Sequence, residues 1–503
     1  MENSAGSDLQ QVHLRVGPNG YEPVAHYTAK AILYMEENVE FQANILSLCP
    51  SHIWPKDSYR LACPRPILIS KDHRQQLEEL QEALAAAIAD IVERWWTDNE
   101  AQFPKRMPLE KEEDDLLRWL EEQAPRDKVQ KYSACRGSWR PDFLVEEHKR
   151  SDGVVAERFR ITEINARFSF NGFMHAAYGQ EALDNMGLGD SGLASATSAT
   201  KFVDGLLNLF KPDLPLHLLK GEEPGIDIYM FIDAVQRHLG VTPRLISPSD
   251  LRLLPDPQSD GGYRLCCLAK DNGEVRFDSG NSTLTTPEGE IVEEIQQVGL
   301  ELHQRELFAL QPEILRQISL RCFNDMRTIL LVHDKRMLGI VKQELQSLVT
   351  RGVLTAAQAH VLDDGVVDTI LPGSQELEQL FQMFKSSEEL KDGYIIKPIR
   401  SGKGAGIVFG EDKGTDEWIS ALEPLQSPGL DLRTTCVVQR RIVPRLYDVI
   451  LNTSGERSRY ALCGTYHVIN GEFLGLGIWR ASGNRICAVS HGSSWICSVA
   501  RED

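Results

Sequence analysis

The sequence predicts a mixed α/β (α+β) protein with a mainly helical N-terminal region, and three observations predict it. Up to about residue 130, apolar residues recur every three or four positions, the spacing of one helix face. Beyond that point they alternate or bunch, as strands do. Between 226 and 246, IDIYMFIDAVQRHLGVTPRLI reads as helix, glycine cap and strand, the rhythm of a small α/β layer. A chain of 503 residues has room for about two to four domains and a large core.

The elements follow in chain order. Leu77, Leu80, Leu84, Ile88, Ile91 and Trp95 mark the first long helix. LEKEEDDLLRWLEEQ, 109–123, predicts another, with acids at its start where the helix dipole favours them. Its acidic run is expected on a solvated face. ERFRITEINARFSFNG, 157–172, alternates as a strand and ends in polar residues and glycine. SPSDLRLLPDPQSDGG, 247–262, holds the densest loop signals. RTILLVHD, 327–334, reads as a buried strand, followed by a helix over 336–350. DDGVVDTILPGSQELEQLF, 363–381, gives strand, turn and helix, with Ser374 as the N-cap. After 390, strands are expected at 394–397, 406–409, 435–439, 461–468 and 473–479.

Composition narrows the function classes. A net charge of −19 argues against nonspecific nucleic-acid binding; it would tolerate or attract a cationic substrate, with most of the charges expected simply to solvate the surface. The ten cysteines include the vicinal pair Cys266–Cys267 but no CxxC, which excludes zinc-ribbon and thioredoxin motifs. MENSAGSDLQQ carries no basic-apolar signal, and no apolar run approaches 18 residues. A soluble, cytoplasmic protein with reduced thiols and no membrane or nucleic-acid partner is expected.

Two stretches carry chemistry. YIIKPIRSGKGAGIVFG, 394–410, holds four glycines and three cations, with three of the glycines and all the cations between two apolar runs. A dinucleotide turn needs a helix after the glycines, and a P-loop needs a Lys-Ser/Thr pair opening one. Neither is present, which leaves a strand–loop–strand that is either a plain hairpin or a phosphate lid. In TEINARFSFNGF, 162–173, Glu163 and Asn165 share a strand face and offer hard oxygens of the type Mg²⁺ takes. Arg140 and Asp142, two apart in WRPDF, stand just upstream. On spacing alone these residues either cap strand ends or bind a metal with phosphate. Cys135 and His148, or SHGSSW at 490–495, could suggest a nucleophile, but no G-x-S-x-G elbow accompanies them.

Together these segments resemble the synthetase domain of glutathionylspermidine synthase, a circularly permuted ATP-grasp ligase. The resemblance spans about 130–503. It continues through NDMRTILLVHDKRMLGIV and TILPGS to VVQRRI and NGEFLGLGIWRASGNRICAVS. It implies a permuted ATP-grasp core with a Rossmann-like pre-ATP-grasp layer. The metal-ligand segment would be 130–205, the pre-ATP-grasp-like region 206–320 and the nucleotide-binding region 321–503. The mainly helical 1–129 lies outside the resemblance.

The same resemblance implies roles. Asp142, Glu163 and Asn165 would bind Mg²⁺, with Arg140 facing the transferred phosphate of ATP. Lys397 would lie against the α-phosphate and the adenine end. Arg400 and the lid Ser401, Gly402, Lys403, Gly404 and Gly406 would cover the β- and γ-phosphates. Gln439, Arg440 and Ile442 would form the hinge that reads adenine, and Arg480 would stand near the γ-phosphate. Arg167, Ser169 and Asn171 are candidates for the carboxylate substrate. Two departures stand out: the loop lacks the family's acidic residue, and the sequence after Glu-x-Asn differs.

The implied reaction joins a small-molecule carboxylate to an amine through an acyl phosphate, on an amino-acid, peptide or polyamine pair. A phosphotransferase is the alternative enzyme, and a catalytically inactive nucleotide-binding module the alternative from another class. The first 129 residues read as a docked arm, a pocket wall or a homodimer contact.

Overall fold

A computed structural model describes residues 8–502, apart from 125–127, 150–152, 154, 226, 270–283 and 428–434. Residues 1–7 and Ile226, which the sequence reading touched, lie outside the described residues. The two ends of the chain meet in one sheet. Ala62–Ile69, buried along its whole length, runs parallel to Ser494–Arg501. The main path of this ten-stranded sheet runs Tyr21–Pro23, Gln10–Leu14, Ala62–Ile69, Ser494–Arg501, Trp479–Ala481, Cys463–Ile469, Ser138–Lys149 and Val155–Asn165. Glu472–Leu476 and Leu193–Ser195 pair off this path. The first 129 residues are mainly helical, and they insert three strands into the largest sheet.

The helix Lys71–Glu93 starts at Ser70, whose side chain accepts from the backbone N–H of His73 in a capping box. Leu77, Leu80, Leu84, Ile88 and Ile91 are all buried. Trp95 lies just past the helix end and stacks on Phe103. The second predicted helix, Lys111–Gln123, also forms, but its acidic run is not wholly solvated. Glu113 is fully buried, because Arg400 reaches it from the other end of the chain.

Four smaller sheets complete the layers, the smallest pairing Leu446–Ile450 with Arg457–Ala461. Gln297–Glu301, Leu216–Lys220 and Arg244–Ile246 make an all-parallel sheet, and helix Ile228–Leu239 with Gly240 in the left-handed region leads into its last strand. Leu251–Pro255, Tyr263–Leu268, Ile291–Glu294 and Leu284–Thr285 form an antiparallel sheet. Thr369–Ile370, Cys436–Arg440, Tyr394–Pro398 and Val408–Phe409 form the sheet that carries the glycine loop. Ser374 caps helix Gln375–Ser386, as expected.

Two further expectations are corrected. RTILLVHD is not a strand: Thr328–Val332 is a π-helical turn, and every residue of it is buried. A short apolar run carries no period that separates strand from buried helix. Thr328 donates its hydroxyl to the carbonyl of Arg136 at 2.7 Å and so fastens this turn to the preceding segment. The loop expected over 247–262 contains the strand Leu251–Pro255, which pairs with Tyr263–Leu268 across the DPQSDGG turn. All ten cysteines are free thiols. Among the described residues no helix is long and apolar enough to cross a membrane.

One buried carboxylate fastens distant parts of the chain. Glu157 accepts from the N–H of Leu9 at 2.9 Å and the hydroxyl of Tyr447 at 2.7 Å, and pairs with Nε2 of His73 at 2.9 Å. Burial pushes its pKa up, but His73 and these hydrogen bonds outweigh burial and hold it below the ordinary 4.5. A lowered carboxyl stabilises above its unfolded pKa, and that stability is lost as pH falls through the folded value. Glu157→Gln should therefore lower Tm at pH 7. The gap to the wild type should shrink as pH drops below about 4.5, the ordinary carboxyl value. Melting curves across pH 3–7 check this, and a gap independent of pH contradicts it.

Candidate active site

The site begins with a register. In the hairpin Ser138–Lys149/Val155–Asn165, Arg140 lies opposite Asn165 and Asp142 opposite Glu163. A bulge falls next: Phe143 faces Ile161, so Thr162 has no opposite residue. The bulge switches the strand's parity. Phe159 and Ile161 stay in the core with Phe143, while Glu163 and Asn165 join Arg140 and Asp142 on the other face. The spacing Ile161–Ile164, three rather than two, is the sequence signal of that switch.

Four cations converge there. Arg140 Nε donates to Asp142 Oδ1 at 2.9 Å, and Arg480 Nη2 donates to Asp142 Oδ2 at 2.6 Å. Lys335 and Lys397 place Nζ 3.5 and 3.7 Å from Glu163 Oε2. Burial pushes the Glu163 carboxyl up, yet Lys335, Lys397, Arg480 and Arg140 overcome it and hold the pKa at about 2. Burial, assisted by Lys335, lowers the ammonium pKa of Lys397. Lys335 is a residue that sequence reasoning missed. It sits just past the π-helical turn, in a segment read as the junction of a strand and a helix.

The donor set suits a hard cation held with phosphate. Asp142, Glu163 and Asn165 offer oxygens on one face, and Asn165 Nδ2 is buried without a hydrogen-bond partner. Arg140 is braced from behind by the carbonyl of Asn171, at 2.9 Å. That loop is itself pinned by Asp227, whose carboxylate accepts from the N–H groups of Gly172 and Met174 at 3.1 and 2.7 Å. Burial raises Asp227 to about 6.

The glycine loop closes one side. Lys403, Gly404 and Gly406 all take positive φ, at 58°, 74° and 76°. Gly404 and Gly406 are required: a Cβ would meet Ile486 at 2.5 Å and Pro398 at 2.8 Å. Ala405 and Ile407 donate to Gly402 and Gly404 in turns. The N–H groups of Gly402, Lys403, Gly404 and Gly406 have no backbone partner among the described residues. Lys335 Nζ donates to the carbonyl of Ser401 at 2.7 Å, tying the loop's root to the cation cluster. Lys403 is half exposed, 3.6 Å from Glu223.

The remaining expected residues divide. Arg400 is held by Glu113 at 2.9 Å and Asp334 at 3.1 Å, so its guanidinium anchors the loop's root. Arg440 makes a two-pronged pair with Glu146, at 2.8 and 3.0 Å, which clamps its strand to the hairpin. The Gln439 amide lies beside Lys397: both donate to the carbonyl of Thr162 at 3.2 Å. The N–H groups of Arg440 and Arg441 go to Asp368 and Gly393. Ile442 is the first residue past the strand whose N–H has no partner among the described residues. Ser169 accepts the N–H of Leu300, and Asn171 donates to Phe168, so both side chains hold the loop rather than face the cluster. Arg167 differs. Its one side-chain hydrogen bond among the described residues is to Gln304, at 3.4 Å, and burial with the neighbouring Arg400 charge lowers its pKa to about 10. A separate groove of about 690 Å³, lined by Val24, Pro444, Arg445 and Asp448 among others, contains none of the four cations.

The comparisons agree with this architecture. A solved structure of a glutathione synthetase-like effector from Globodera pallida, in apo form, superposes with a TM-score of 0.52. It covers 93% of this chain and 97% of that one at 12% identity, a likeness of fold: the class is a glutathione synthetase-like α/β architecture. Residues 80–331 match the family model described as the AnkG N-terminal domain. The ATP-grasp enzyme ankG of Aspergillus thermomutatus is 39% identical over 444 residues, 87% of this chain and 88% of that protein. This chain belongs to that family of ATP-grasp enzymes.

Proposed function

We propose that the protein is an ATP- and Mg²⁺-dependent carboxylate–amine ligase of circularly permuted ATP-grasp type. One observation carries the reading: four cations, Arg140, Lys335, Lys397 and Arg480, surround only two carboxylates, Asp142 and Glu163. Such an excess of positive charge calls for a polyanion, and the adjacent loop offers N–H groups without a backbone partner among the described residues, as phosphates require. Permutation is supported by order, since the hairpin with Asp142, Glu163 and Asn165 precedes the Lys397 strand in the chain. The parallel layer around Ile228–Leu239 takes the part of the Rossmann-like pre-ATP-grasp region.

Asp142, Glu163 and Asn165 would hold Mg²⁺, which when bound neutralises the charge that builds up in phosphoryl transfer. Arg140 and Arg480 orient the γ-phosphoryl, and Lys397 holds the nucleotide from the Gln439 side. The Ser401–Gly406 loop lies over the phosphates with Lys403 and excludes water. Ile442 offers the adenine edge its N–H. Arg167 is the cation placed for a substrate carboxylate. A carboxylate oxygen attacks the γ-phosphorus and ADP leaves. An amine then attacks the acyl carbon, and inorganic phosphate leaves with the carboxylate oxygen.

ADP-release assays on paired amino acids, peptides and polyamines with Mg²⁺ test the reading. Amide with equimolar ADP supports it. A stable phosphate ester would favour the phosphotransferase, and nucleotide binding without turnover on any pair would favour the inactive module.

The loop's geometry makes a further prediction. Its root is fixed by Arg400 and Lys335, while its tip carries N–H groups that have no backbone partner among the described residues. Residues 400–407 should gain hydrogen-exchange protection when a non-hydrolysable ATP analogue and Mg²⁺ are added. Equal exchange in both states would mark a plain hairpin.

A further inference from the structure

Away from the proposed active site, three buried side chains from three different strands meet. His217 comes from Leu216–Lys220 of the parallel sheet. Cys267 and Glu293 come from Tyr263–Leu268 and Ile291–Glu294 of the antiparallel sheet, where they lie directly opposite each other. All three are buried, and their donor atoms lie within 4.8 Å of one another. His217 Nε2 is 3.3 Å from Glu293 Oε1, and Cys267 Sγ is 3.6 Å from the same oxygen. Arg244 Nη2 holds the other carboxylate oxygen at 2.9 Å.

These separations match the edges of a coordination tetrahedron. With Zn–N and Zn–O near 2.0 Å and Zn–S near 2.3 Å, the N···O and S···O edges come to about 3.3 and 3.5 Å. The donor set is also selective. A thiolate and an imidazole with one carboxylate suit zinc, whereas Mg²⁺ takes oxygens alone. We propose that His217, Cys267 and Glu293 bind a zinc ion, with water in the fourth position of the tetrahedron, and that this ion ties the parallel sheet to the antiparallel sheet. Binding forms the metal bonds to Nε2, Sγ and Oε1 and releases the Cys267 thiol proton to solvent. Arg244 orients the Glu293 carboxylate from behind, as outer partners of metal ligands do. The absence of CxxC spacing is consistent with this: the ligands are 76 and 26 residues apart in sequence, and only the strand pairing assembles them.

The test uses the full-length protein, produced with zinc in the medium and dialysed into metal-free buffer. Elemental analysis should find about one zinc per chain, lost in both Cys267→Ser and His217→Ala. Exchange with Co²⁺ should give the intense thiolate-to-cobalt absorption of a tetrahedral site, absent in Cys267→Ser. A zinc chelator should lower the Tm of the wild type and leave that of Cys267→Ser unmoved. The wild type alone decides if a variant fails to fold. Folded wild type that retains no zinc and gives no cobalt–thiolate absorption would overturn the proposal and leave a hydrogen-bonded triad. Zinc retained equally by both variants would place the metal elsewhere, and also overturn it.

Discussion

Lys397→Ala and Glu163→Gln should each reduce ATP-dependent ADP formation by on the order of a hundredfold or more, the loss typical when one preorganised charge at a developing anion is removed. Their effects on the fold should differ, and that difference separates a catalytic site from a structural ion cluster. Lys397 is buried and its ammonium is already disfavoured by burial and by Lys335. Removing it relieves that strain, leaves Glu163 with Lys335, and should keep Tm unchanged or raise it. Glu163→Gln leaves four cations facing Asp142 alone, and Tm should fall in the absence of nucleotide. Paired ADP assays and melting curves read both quantities. Near-normal turnover in folded Lys397→Ala or Glu163→Gln would sink the site assignment.

Deleting residues 1–128 should leave an insoluble or unfolded remainder rather than an active core. The deletion removes Ala62–Ile69 from the middle of the ten-stranded sheet and exposes the ladder edge of Ser494–Arg501. It strips Leu77, Leu80, Leu84, Ile88 and Ile91 from the main core, at roughly 1.5–3 kcal/mol for each large apolar side chain. It also leaves Arg400 with Asp334 but without Glu113, so the root of the glycine loop loses one of its two acidic partners. Solubility and gel filtration of the truncated chain check the outcome. A soluble, active 129–503 fragment would show that the N-terminal region is an independent module.

What was legible in the sequence follows from distance. Glu163 and Asn165 stand two apart on a strand, and Arg140 and Asp142 likewise, so their common face could be read directly. The helix faces at Leu77–Ile91 and the cap at Ser374 are local as well. Arg480 meets Asp142 across 338 residues, and resemblance to a known family, rather than spacing, pointed to it. Lys335 went unseen because a buried apolar run has no period to tell a π-helical turn from a strand. Glu113 looked solvated within its acidic run, since burial of a carboxylate depends on a partner 287 residues away. The contacts of Arg400 with Glu113 and Asp334 were hidden for the same reason, since both partners lie in distant segments.

The most direct test of the proposed chemistry follows the substrate's own oxygen. Once an ADP-releasing pair is found, the carboxylate is labelled with ¹⁸O and the released phosphate is analysed by mass spectrometry. Acyl-phosphate ligation predicts one ¹⁸O in inorganic phosphate for each amide and each ADP formed. AMP with pyrophosphate, or phosphate free of label, would contradict it.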